Sequence, residues 1–293
     1  MLIDGKQLAQ EILTDLQQRV AKLQEEQNII PHLAIIRVGD DPATTSYINQ
    51  KERMGKKIGG VVSTYNYPTN VSEKELLEAI NFLQTKGQVH GLIVQLPLPH
   101  HLNETTLTMA VNPEKDVDGF REDAEFNEPI AEAVIRILEE IFKIEQEPTP
   151  LSPPAEGMKG EGSFEQWLTS QNIVILGKGK TGGQPIIKIL TKINIPFTIV
   201  DSKTPNREEV TRQADILVCA VGRGKIITED MIKKDSILIG IGMHRGEDGK
   251  LHGDYESEEI QDKAAYYTPI PGGVGPVNAA MLLVNVVTAA EKI

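Results

Sequence analysis

Leu8, Ile12, Leu16, Val20 and Leu23 recur every three or four positions, so the chain opens with an amphipathic helix. The period changes at Leu33-Ala34-Ile35-Ile36-Arg37-Val38, an apolar run closed by Gly39-Asp40-Asp41-Pro42, which predicts a buried strand and a turn. A helix over about 43–58, a strand near 61–65, a helix over about 72–85 and a strand at 91–96 follow, the last stopped by Pro97 and Pro99. Strands alternating with helices of these lengths predict a parallel sheet covered by helices. A helix near 130–141 ends this series.

The pattern breaks between residues 147 and 162, where Pro148, Pro150, Pro153, Pro154 and three glycines displace the apolar positions. We expect a mobile surface insertion there, remote from any chemistry, with a proline-rich partner motif as the other reading. A second series then begins: strand 172–176, helix 182–191, and strands at 197–200, 216–221 and 236–241. The final helix, over about 276–291, carries Met281, Leu282, Leu283, Val284, Val286 and Val287 and needs a cover, which the first domain would supply. No internal repeat is evident. At 293 residues the chain has room for two domains at roughly 150 residues each. The expected fold class is two-domain α/β: a parallel-sheet domain over 1–144 plus 272–293, and a Rossmann-type unit over 145–271.

Charge narrows the partners. With 30 basic and 42 acidic residues the net charge is −12, which repels a phosphate backbone, so nucleic acid is not expected. The one cysteine, Cys219, sits inside an apolar run and reads as a buried, inert thiol in a reducing compartment. The start of the chain lacks a signal pattern and no continuous apolar run reaches spanning length, so a soluble cytoplasmic protein is expected, without a membrane partner. The six histidines offer no metal-ligand spacing, and no metal is expected.

The strand Ile173-Val174-Ile175-Leu176 runs into Gly177-Lys178-Gly179-Lys180-Thr181-Gly182-Gly183 and then a helix. Gly177, Gly179 and Gly182 fit the dinucleotide fingerprint in the strand–turn–helix setting it requires, where glycines let the backbone approach a pyrophosphate. A P-loop would need glycine at Val174, inside the strand, and fails. Asp201, 24 residues after Gly177, is placed to bind the ribose hydroxyls of NAD, whereas Lys178, Ser202 and Lys203 are placed to neutralise the 2′-phosphate of NADP. Both coenzymes stay open on these residues. A tight turn without a ligand is the plain alternative.

In the first series Tyr47 and Lys51 lie four apart on one helix face. Gln95 stands at the C-terminal end of a strand, where ligands gather in parallel sheets. Asp116-Val117-Asp118-Gly119-Phe120 follows the next helix. Singly these are a core-edge ring, a solvated amine and a turn former; together they supply a stacking ring, a titratable amine, an orienting amide and an acceptor. Tyr-x-x-x-Lys also occurs in short-chain dehydrogenases, but there the glycine loop comes first, and here it comes about 130 residues later.

Four stretches are similar to the bifunctional methylenetetrahydrofolate dehydrogenase/cyclohydrolases: Val38-Gly39-Asp40-Asp41-Pro42-Ala43 with Tyr47 and Lys51, the string GLIVQLPLP at 91–99, PEKDVDGF at 113–120, and PGGVGP at 271–276. The resemblance covers nearly the whole chain. It implies a Rossmann coenzyme domain, folate between the domains, and a homodimer. It makes Lys51 the central catalytic residue, Gln95 its hydrogen-bonding partner, Asp118 the anchor of the pterin and Tyr47 the stacking ring, with Gly272, Gly273 and Pro276 lining the folate cleft. Coenzyme binding falls to Gly177, Lys178, Gly179, Gly182, Asp201, Ser202, Val221 and Gly222, with NADP expected and NAD the alternative. The implied reactions are oxidation of 5,10-methylenetetrahydrofolate and hydrolysis of the methenyl product to 10-formyltetrahydrofolate; a monofunctional cyclohydrolase and a non-catalytic binding protein are the alternatives. The chain departs from the family pattern at Pro129-Ile130-Ala131-Glu132, in the glycine loop, at Gly240 and His244, and in the 147–162 insertion.

Overall fold

The computed structural model describes residues 1–147, 162–246 and 248–293, so most of the expected 147–162 insertion lies outside the described residues. The first series comprises α1 (Gly5–Gln27), β1 (His32–Val38), α2 (Pro42–Lys57), β2 (Val61–Tyr67), α3 (Glu73–Gln84), β3 (Gly91–Val94) and α4 (Glu104–Met109). Start signals place these helices. The Asp41 carboxylate accepts from Thr44 N at 2.7 Å and Pro42 opens α2, while Ser72 and Glu75 form a reciprocal capping box on α3.

The three strands form a parallel sheet in the order β2-β1-β3, with Ile36 opposite Tyr65 on one side and Val94 on the other. A central parallel strand is covered on both faces, which is why β1 is apolar at nearly every position. Ala34, Ile36 and Val38 pack with Leu76, Ile80 and Leu83 of α3. Leu33 and Ile35 face the other way, toward Ile48 of α2 and Leu282 and Val286 of the C-terminal helix.

The second series comprises α5 (Pro129–Gln146), α6 (Phe164–Ser170), β4 (Ile173–Leu176), α7 (Gly183–Lys192), β5 (Thr198–Val200), α8 (Arg207–Arg212), β6 (Ile216–Cys219), β7 (Ile237–Gly240), the hairpin β8 (Met243–Arg245) and β9 (Leu251–Gly253), α9 (Ser257–Ile260), β10 (Tyr266–Tyr267) and α10 (Val274–Glu291). Its five-stranded sheet runs β10-β7-β6-β4-β5, parallel throughout. Buried Val174, Leu176, Leu217, Cys219 and Leu238 form its core.

Two compact units result. One joins residues 9–129 to 278–293; the other joins 1–8 to 130–277. The expected boundary at 144/145 falls inside α5, which groups with the second sheet. In the first unit α10 packs as expected, its Ala280, Leu283 and Val287 meeting Leu13, Leu16 and Val20 of α1. One expectation needs correcting. Among the described residues α10 is long and apolar enough to cross a membrane. Counting only continuous apolar runs overlooked this, because Asn278 and Asn285 interrupt the run without lowering its mean hydropathy far. Its apolar surface is a core surface, divided between α1 and the sheet.

Candidate active site

The candidate site of the first unit is reached from the C-terminal end of β3, which Gln95 follows, and from α2, which carries Tyr47 and Lys51. Gln95 leaves β3 with its backbone N–H still bound to Ile36 O at 2.9 Å, which sets the start of its side chain. Its amide nitrogen donates to Leu96 O at 2.8 Å, and this selects the flip that leaves Oε1 as an acceptor. Lys51 Nζ donates to that oxygen at 2.9 Å. Burial pushes the Lys51 ammonium below its ordinary range, and the Asp118 carboxylate pulls it part of the way back. Asp118 is held above the ordinary carboxylate range by burial, with Lys51 opposing. The two groups therefore oppose each other's shift in a poorly solvated place.

Asp118 sits in a short irregular loop that the side chain of Asp116 organises. Asp116 is buried, and its carboxylate accepts from Gly119 N at 3.0 Å and Arg121 N at 2.9 Å. Burial raises this carboxyl to about 6; the backbone donors oppose the rise and Asp118 adds to it. Gly119 has φ +67°, and a Cβ there would lie 2.7 Å from Asn127 C, so the turn tolerates only glycine. Tyr47 lies one turn before Lys51 on α2 and is 41% exposed, leaving its ring available to stack.

Gly272, Gly273 and Pro276 belong to the other unit. Gly273 is needed where it stands: a Cβ would come within 2.6 Å of Thr268 Cβ and 2.7 Å of Pro269 O.

The glycine loop connects β4 to α7. Gly177 has φ +94°, and a Cβ there would lie 2.6 Å from Ala220 O; a Cβ on Gly183 would lie 1.9 Å from Gly177 O. Nothing stands within 4 Å of a Cβ built on Gly179. The loop is thus packed tightly on its own backbone and open at Gly179, ahead of the α7 N-terminus, which fits a pyrophosphate. Lys178 Nζ lies 2.7 Å from Asp201 Oδ2. Asp201 Oδ1 accepts from Lys203 N at 2.9 Å, and with Lys178 this holds the carboxyl down to about 2. Ser202 lines a shallow cavity with Thr204, Asn206 and Arg207. Arg207 continues into a second one with Arg223 and Lys225.

Val221 and Gly222 follow β6 beside this loop. Asp254, fully buried, accepts from Val221 N at 2.8 Å and Arg223 N at 2.9 Å and so shapes the turn. Sequence reasoning passed over Asp116, Asp254, Arg207 and Arg223, whose roles depend on partners distant in the chain or on burial. It also passed over Asn285, although an amide in the middle of an apolar helix was a visible signal.

A parallel sheet with a glycine loop at its first strand defines the class, a dinucleotide-dependent α/β enzyme with a separate lysine-centred site. The description "Tetrahydrofolate dehydrogenase/cyclohydrolase, catalytic domain" matches residues 3–118, and the "NAD(P)-binding domain" of the same family matches 163–293. The bifunctional protein FolD of Ligilactobacillus salivarius is 38% identical over 99% of this chain and 97% of its own, and that of Lactococcus lactis IL1403 is 39% identical with the same coverage. The crystal structure of the bifunctional FolD dehydrogenase/cyclohydrolase from Campylobacter jejuni superposes with a TM-score of 0.87 at 31% identity, over 100% of this chain and 99% of that one. The chain belongs to the tetrahydrofolate dehydrogenase/cyclohydrolase family.

Proposed function

We infer that this chain oxidises 5,10-methylenetetrahydrofolate to the 5,10-methenyl form and then hydrolyses that product to 10-formyltetrahydrofolate. The observation that carries the allocation of roles is the Lys51–Gln95 hydrogen bond beside Asp118. Gly177, Gly179 and Gly182 would hold NAD(P), which would supply the hydride acceptor for the oxidation. Hydrolysis adds a water oxygen to the methenyl carbon, breaks its bond to N5 and releases a proton. Lys51 takes the proton from the attacking water and returns it to the departing nitrogen, a task suited to an amine whose affinity for protons burial has lowered. Gln95 aims the amine, Asp118 both anchors the polar nitrogens of the pterin and sets the charge state of Lys51, and Tyr47 stacks on the aminobenzoyl ring. We also read Gly272, Gly273 and Pro276 as substrate-binding residues.

NADP is the coenzyme this reading favours. The Asp201 carboxylate is already engaged by Lys178 and by the backbone of its own turn, and the nearby lining is basic at Arg207, Arg223 and Lys225. The FolD structure from Trypanosoma brucei, 26% identical with a TM-score of 0.85, is a complex with NADP. We further read the protein as a cytoplasmic homodimer, which its single buried thiol suits.

The test separates the two reactions. Lys51→Met keeps most of the stem and deletes the titratable group, so hydrolysis of methenyltetrahydrofolate is expected to fall at least ~100-fold. Dehydrogenation, which depends mainly on placing carbon against nicotinamide, is expected to fall less. Undiminished hydrolysis at saturating folate would remove Lys51 from the mechanism.

A further inference from the structure

One polar side chain lies among apolar neighbours in the middle of α10. Asn285, between Val284 and Val286, is 7% exposed. Its Nδ2 donates to Val117 O at 2.9 Å and to Asn127 O at 3.1 Å. Both amide hydrogens are therefore spent on carbonyls of one irregular segment. Val117 is the residue directly before Asp118, and Asn127 borders the turn at Gly119. A buried carbonyl outside a helix or ladder needs a donor, and here a helix some 160 residues distant in the chain supplies it. On the other flank of Asp118 the Asp116 carboxylate holds Gly119 N and Arg121 N. The backbone that carries Asp118 is thus pinned from both sides, and α10 is the rigid element that does the pinning.

We propose that Asn285 is a positioning residue for folate chemistry: by clamping Val117 and Asn127 it sets the Asp118 carboxylate against Lys51. This rests on the assignment of Asp118 and Lys51 to the folate site. Lys51 is governed by burial, which lowers its proton affinity, and by Asp118, which raises it; Asp118 in turn raises its other acidic neighbour, Asp116. If the clamp is released and Asp118 drifts, burial acts on the ammonium unopposed. The pH-rate limb that belongs to Lys51 then moves to lower pH. A residue that merely stabilised the fold would lower the melting temperature and leave that limb in place.

The experiment uses the full chain with Asn285→Leu, Asp118→Asn and the double variant, and Asn285→Ser as a smaller change should the leucine variant misfold. NADP affinity, which reports the other unit, and thermal unfolding check that each variant is folded. Hydrolysis of methenyltetrahydrofolate is measured as kcat and KM across pH. For Asn285→Leu we expect kcat/KM to fall about 10- to 100-fold, as an ångström-scale misplacement does, with the Lys51 limb displaced toward acid. The double variant is expected to be little worse than Asp118→Asn alone, because both changes act through one carboxylate. Loss in Asp118→Asn together with an unmoved limb in folded Asn285→Leu or Asn285→Ser overturns the proposal alone, as do fully additive losses. Full activity in Asp118→Asn overturns the assignment of Asp118 and the proposal with it.

Discussion

Asp116 and Asp118 are two residues apart and both buried to some degree, yet they serve differently because of what each carboxylate meets. Asp116 meets backbone N–H groups that only partly offset its burial, so it is left at about 6, against about 3.9 for an unperturbed aspartate. The folded chain then binds that proton more tightly than the unfolded chain does. Its stabilising contribution is complete below about pH 4 and is lost as pH rises through about 6. Asp116→Asn removes the titration, so its melting temperature should gain on the wild type between pH 4 and pH 7, by the equivalent of ~3 kcal/mol. Any constant cost of the lost acceptor cancels in that comparison. Parallel melting curves of the two proteins across this range would contradict the buried-acid account.

Among the elements, the β4–α7 connection has the least latitude. Its backbone passes so close to itself that a methyl group on Gly183 would stand 1.9 Å from Gly177 O. Gly183→Ala must therefore push the loop outward, and coenzyme affinity is expected to fall at least ~10-fold, since the loop's N–H groups would no longer converge on a pyrophosphate. Hydrolysis of supplied methenyltetrahydrofolate should be affected far less; equal loss of both activities would show that the loop serves more than the coenzyme. The end of β5 supplies a second test. Removing the Asp201 carboxylate frees Lys178, now 2.7 Å away, to meet a 2′-phosphate. Asp201→Ala should improve the use of NADP relative to NAD, read as the ratio of kcat/KM values. If NAD binding is abolished with no gain for NADP, Asp201 holds the ribose of NAD instead and the coenzyme assignment reverses.

For the molecule as a whole, α5 and α6 matter as the elements on either side of residues 148–161. Phe142 lies 5.6 Å from Trp167 and 5.9 Å from Phe164, ring centre to ring centre, and Trp167 Nε1 donates to Glu145 at 3.0 Å. These contacts tie the flanks together, and such aromatic pairs contribute about 0.5–1.5 kcal/mol each beyond burial. Replacing 148–161 with a short glycine-serine linker should leave both rates nearly unchanged. A large loss of activity at unchanged melting temperature would give that segment a part in the reaction.

The elements and the chemistry follow different rules, and this decides what could be read in advance. The alternation of strands and helices, the glycine loop after β4, and Lys51, Gln95 and Asp118 as a set were legible in the sequence, because periodicity, positive-φ turns and helix caps are properties of neighbouring residues. The short elements α4, α6, α8 and the β8–β9 hairpin were not delimited, since a few residues carry too little periodicity. Asp201 could be read for NAD or against it, and nothing in the sequence shows that its carboxylate meets Lys178. Asn285 drew no reading from the sequence, and it is packing that sets it beside Val117 and Asn127. Only tertiary structure decides such cases, because the value of a buried polar group lies in its desolvation and in its partners, and neither exists until distant parts of the chain are brought together.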